Sequence, residues 1–146
     1  IGAGRNGVWL PAAAVHGNSD VLKAGVDLQC VHNGIDDVGD YFTKAKLRYE
    51  QSDIKRTLDV AWASSPVASM ATWKSPVLLI QGDDDRNVSF HAAVDIARRL
   101  DARGVSYEEL VIPDEIHGFL RHKSWMSADS ATVAYFDKKF DVHTAP

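Results

Sequence analysis

One cysteine, Cys30, leaves the 146-residue chain unable to form an internal disulfide, which fits a reducing, cytoplasmic compartment. No long apolar run is present either. The longest, VWLPAAAV at 8–15, is broken by Pro11 and is far too short to cross a bilayer. Nor does a basic segment followed by an apolar one open the chain. Charge of one sign is equally scarce: the net charge is −4 with the basic residues scattered, so neither nucleic acid nor an anionic membrane is an expected partner. Repeats and low-complexity tracts are missing. Apolar and charged fractions of 45% and 25% are those of an ordinary globular domain, and the length suits one domain over 1–146.

What is there centres on Ser75–Phe90, SPVLLIQGDDDRNVSF. Val77–Ile80 form a short, wholly apolar run between Pro76 and Gly82, which predicts a central strand covered on both faces. Ser89 then reads as an N-cap. Phe90, Ala93, Val94, Ala97 and Leu100 give the stripe of the following helix, and Gly104 its stop. Between strand and helix lie Asp83, Asp84 and Asp85. In α/β sheets such loops at the carboxyl ends of strands hold ligands and catalytic groups, so one of these carboxylates is a candidate for chemistry.

Elsewhere the pattern predicts helix over Val8–His16, a strand over Lys23–Leu28, a poorly striped helix over Tyr41–Glu50 and loop with short helical turns over Thr57–Ser75. A further strand follows at Ser106–Ile112, then a loop, PDEIHG, and a last helix from Ser124 or Ser130 to Phe140 striped by Val133, Phe136 and Phe140. Strands alternating with helices imply an α/β fold with a mostly parallel sheet flanked by helices. Trp62, Trp73 and Trp125 read as packing residues. The acids at 83–85 lack the spacing of a calcium loop, and His91, His117 and His122 lack a metal-ligand pattern, so no metal is expected.

His117 follows the second strand as the acids follow the first. Neighbouring parallel strands bring such loops side by side. A carboxylate there can hold one ring nitrogen of His117, fix its tautomer and leave the other nitrogen as a general base. The opening residues, IGAGRNGV, also spell G-x-G-x-x-G through Gly2, Gly4 and Gly7, with Asp20 or Asp27 as the acid a dinucleotide site needs. That reading is weak, because the preceding strand is absent and Pro11 falls in the second turn of the required helix. The chain starts at Ile1 without methionine, and the glycines look like the end of a strand, so a partial domain is expected.

SPVLLIQGDDDRNVSF followed by PDEIHGF resembles the end of the catalytic domain of the prolyl oligopeptidase family of serine peptidases, in its acylaminoacyl-peptidase and dipeptidyl-peptidase-like branches. The similarity runs across nearly the whole chain, including NSDVLKAGVDL, CVHNG and AWASSPVAS. It implies the C-terminal portion of an α/β-hydrolase fold, a peptide substrate and no cofactor. In the pattern G-x-x-D-x-x-V, Gly82, Asp85 and Val88 match, so the resemblance makes Asp85 the triad acid and His117 the triad base. The family's nucleophile motif, G-x-S-x-G-G, falls on Ala3–Val8 and puts Arg5 at the serine. A guanidinium stays protonated and cannot attack a carbonyl, so the family mechanism is not available to the chain as written. Ser64, Ser65, Ser89 and Ser124 offer no replacement elbow. Only the last three strands of the resembled sheet are expected here, with Lys23–Leu28 an exposed edge. That edge implies a homo-oligomer or dependence on upstream strands.

Overall fold

The computed structural model describes residues 2–4, 21–35 and 51–141. The expected helices at 8–16 and 41–50, and Arg5 and Asp20, lie outside the described residues. Four strands form one sheet in the order β1 (Gly2–Gly4), β2 (Gly25–Leu28), β3 (Val77–Gly82), β4 (Tyr107–Ile112), every pair parallel. This corrects the expectation of three strands. Gly2, Ala3 and Gly4 stand opposite Val26, Asp27 and Leu28, so β2 is an interior strand and the edges among the described residues are β1 and β4.

β3 is buried along its whole length because its apolar run serves both faces. Successive side chains of a strand point to opposite sides of a sheet. Val77 and Leu79 accordingly join one core with Met70, Trp73, Ile96 and Leu100. Leu78 and Ile80 join the other with Val26, Ile112, Phe119, Ala128 and Tyr135. Helix α2 (Phe90–Ala102), between β3 and β4, contributes Ile96, Ala97 and Leu100 to the first core. Helix α3 (His122–Phe140), after β4, contributes Ala128 and Tyr135 to the second. Ser89 sits at the start of α2 in extended backbone, without a side-chain cap. Gly104, at φ 67, ends the helix as expected, and its N–H donates to the Asp101 carbonyl at 2.9 Å.

The segment read as loop from Thr57 is different. Residues 57–64 belong to helix α1 (Gln51–Ser64), and Pro66–Thr72 form a 3-10 helix. Ile54, Leu58 and Ala61 lie half-buried at helical spacing, a stripe that begins before Thr57. The serines that suggested loop close the helix instead: the Ser64 and Ser65 hydroxyls donate to the carbonyls of Val60 and Ala61 at 2.7 and 2.6 Å. The stripe of α3 is also corrected. Val133 and Phe140 are exposed, and the helix seats on Ser124, Ala128 and Tyr135, where two small side chains permit close approach. Phe90 of α2 is only half-buried, and Ile96, left out of the expected stripe, is fully buried. Of the tryptophans among the described residues only Trp73 is buried, its indole N–H donating to the Ser75 carbonyl at 2.8 Å; Trp62 and Trp125 are exposed. No helix among the described residues is long and apolar enough to cross a membrane.

Leu100 has no solvent exposure and anchors α2 to β3. Truncation to alanine is expected to cost roughly 2–5 kcal/mol, read as a lower urea midpoint with an unchanged slope.

Candidate active site

β3 and β4 run in parallel to Gly82 and Ile112, and the chain leaves both strands at the same rim. The loops after them are stitched together by backbone. The N–H groups of Asp83 and Asp84 donate to the carbonyls of Ile112 and Glu115 at 3.4 and 3.2 Å. The Asp114 N–H, at a residue with φ 57, donates to the Asp83 carboxylate at 2.7 Å. A β-carbon on Gly82 would lie 2.3 Å from the Glu115 carbonyl oxygen, so only glycine allows the two loops this close.

At this junction Asp85 Oδ2 and His117 Nδ1 are 2.9 Å apart. The Asp85 side chain is fully buried and carries a complete set of donors. Oδ1 accepts the N–H groups of Asn87 and Val88, both at 2.9 Å, and Oδ2 accepts Gln81 Nε2 at 3.1 Å beside the histidine. Gln81 is itself fixed by a second bond, to the Val88 carbonyl at 3.0 Å. A carboxylate surrounded by donors is acceptor-only, so it places the imidazole proton on Nδ1 and leaves the Nε2 lone pair free to take a proton. The His117 side chain is one-tenth exposed.

Glu115 holds the histidine loop from beneath. Its buried carboxylate accepts the Ser124 hydroxyl at 2.7 Å and the N–H groups of Leu120 and Arg121 at 2.8 and 3.3 Å, at the start of α3. These bonds, that of Ser124 foremost, hold the Glu115 carboxyl below its usual range, with Arg121 adding a favourable charge 3.8 Å away. Gln29, at the end of β2, reaches the other side of the loop and bonds to Ile116 and Gly118.

Among the other candidates, Asp83, Asp84, Arg86 and Asn87 are exposed. Ser65 and Ser124 are buried and committed as donors to the Ala61 carbonyl and to Glu115. Ser89, His91 and His122 are exposed. Asp27 is buried in β2, its Oδ2 3.2 Å from His32 Nε2. Cys30 is buried nearby, its thiol pushed well up by burial and by the Asp27 carboxylate. Among the described residues no group of three acidic, histidine or cysteine side chains is placed to hold a metal. Gln81, Gln29 and Glu115 carried no signal in the sequence beyond following or preceding a strand end.

The sequence model of the prolyl oligopeptidase family matches residues 5–143. The chain belongs to the prolyl oligopeptidase family. Curated proteins give no match. Solved structures give many. A puromycin-hydrolyzing peptidase of Mycobacterium tuberculosis is 23% identical, with a TM-score of 0.77 over 95% of this chain and 21% of its own. An acylaminoacyl peptidase of Pyrococcus horikoshii is 20% identical, with a TM-score of 0.74 over 95% of this chain and 23% of its own. Dipeptidyl peptidase 4 of Porphyromonas gingivalis is 13% identical, with a TM-score of 0.74 over 95% and 19%. The chain thus spans about a fifth of the length of these relatives and shares the α/β-hydrolase fold with them.

Gly82→Ala should destabilise the chain by about 3 kcal/mol in urea unfolding, because the added carbon meets backbone that cannot rotate away. For Glu115, a carboxyl lowered in the folded state contributes stability above its unfolded pKa and loses it as the pH falls through the folded one. Glu115→Gln should therefore lower the urea midpoint near pH 7, and the gap to the parent should close as the pH falls below the ordinary glutamate range. A gap that is constant with pH would contradict this.

Proposed function

We infer that the chain is the C-terminal segment of a serine-peptidase catalytic domain, with Asp85 and His117 as the acid and base of the triad. The observation that carries this reading is the 2.9 Å contact of His117 Nδ1 with a buried carboxylate already holding Gln81 and two backbone N–H groups. In the family reaction Nε2 takes the proton of a serine hydroxyl as the oxygen attacks the peptide carbonyl. The imidazolium then gives that proton to the leaving amine, and Asp85 stabilises the charged ring throughout. A water, deprotonated by the same nitrogen, releases the acyl group. The substrate class is a peptide cleaved near its N-terminus, the chemistry named in the acylaminoacyl and dipeptidyl peptidases of similar fold.

The first step fails in this chain. β1 ends at Gly4, at the rim from which the Asp85 and His117 loops leave, and the next residue in sequence is Arg5. Arginine has no lone pair to offer and no hydroxyl proton for Nε2 to remove. The chain as written keeps an acid–base pair without a nucleophile, and so is inactive.

A fluorophosphonate probe, which reacts only with an activated serine, tests both halves. No labelling of the folded chain is expected. Labelling that disappears in His117→Ala would overturn the inactivity and restore an enzyme with its serine elsewhere.

A further inference from the structure

We propose that Gln29 is a positioning residue for His117, holding the imidazole toward Asp85 by clamping the backbone on both sides of it. This rests on reading Asp85 and His117 as the acid–base pair. The clamp has two arms from one amide. Gln29 Nε2 donates to the Ile116 carbonyl at 2.9 Å, and Gln29 Oε1 accepts the Gly118 N–H at 2.7 Å. The residue between those partners is His117. A planar amide holding the preceding carbonyl and the following N–H fixes the peptide planes on either side of the histidine. The direction of its Cα–Cβ bond is then fixed too.

Four further features mark the clamp as built for the loop. Gln29 is a long polar side chain, yet it is buried, where a glutamine is stable only if both ends of its amide are bonded. Its backbone has φ 54, a left-handed conformation uncommon outside glycine, which costs energy and persists where surrounding contacts enforce it. Its own N–H donates to the Ile80 carbonyl at 2.9 Å, extending the β2–β3 ladder by one bond. The clamp therefore stands on the sheet rather than on a free loop. Its reference strand, β3, is also the one that carries Gln81, the residue holding Asp85. The acid is held from β3 itself and the base from its neighbour β2, so both are set against one backbone. Gly118, at φ 78, lets the chain present its N–H to Gln29.

The test is proton NMR on the full chain. A His117 Nδ1 proton shared with a carboxylate resonates far downfield and exchanges slowly with water, and it should vanish in Asp85→Asn. In Gln29→Met, similar in size but without the amide, the same resonance should be lost or should exchange about tenfold faster, as expected for losing hydrogen bonds that held the loop. Amide protection along β3 should stay at the parent level, which separates positioning from general loosening. If Gln29→Met does not fold, Gln29→Glu serves: it keeps an acceptor for Gly118 but has no donor for Ile116. The Gly118 amide should then stay protected while the Nδ1 proton exchanges faster. A downfield proton that keeps its parental exchange rate in the Gln29 variant overturns the proposal while leaving the pair intact. A downfield proton that is missing from the parent, or survives in Asp85→Asn, overturns the pair itself and the proposal with it.

Discussion

The site depends on one close approach: the carbonyl of Glu115 lies where any side chain at residue 82 would have to be. Parallel strands normally leave a sheet separated by the strand spacing, and loops that follow them diverge. Here the absence of a β-carbon lets the loop after β4 fold over the end of β3. Asp84 and Asp114 then supply the bonds that close the gap. Asp85 and His117 meet because the backbone beneath them is already joined. Their contact is a consequence of that junction more than its cause.

Around the junction the Asp85 and Glu115 carboxylates and both ends of the Gln29 amide have stated partners, and the partners come from different parts of the chain. Asp85 is held by its own turn and by Gln81; the histidine loop is held by Glu115 on one side and Gln29 on the other. Buried polar groups are tolerated when their bonding is complete and are costly when it is not. That explains why so many polar side chains gather at the end of strands that are otherwise apolar. It also gives the imidazole little freedom to turn away from the acid.

The sheet was readable in the sequence where burial leaves no ambiguity. Val77–Ile80 is apolar on both faces, and β3 lies between two cores. That an acid after β3 could face a histidine after β4 followed from parallel order alone, whereas the choice of Asp85 among three neighbouring acids came from the family pattern. Helix α3 was harder. Val133, Phe136 and Phe140 stand out by size, but the seat of the helix is set by Ser124 and Ala128, whose smallness is the useful property. Ser64 and Ser65 misled for a related reason, since a hydroxyl that can break a helix can also cap its last carbonyls. The two glutamines left no trace at all. Gln29 acts on residues 87 and 89 positions away, and only the folded chain shows what its amide faces.

Acid and base lie 32 residues apart in one strand–helix–strand unit, and everything that stabilises their contact except Gln29 belongs to that unit or to the helix after it. On the proposed reading the nucleophile position is encoded elsewhere, at residue 5, which follows in sequence a strand two places away from β3 in the sheet. That reading divides the machinery into two modules, one carrying acid and base and the other the nucleophile. A well-formed acid–histidine pair is in that sense a mark of kinship with the family, while competence, on the proposed reading, turns on what stands at residue 5.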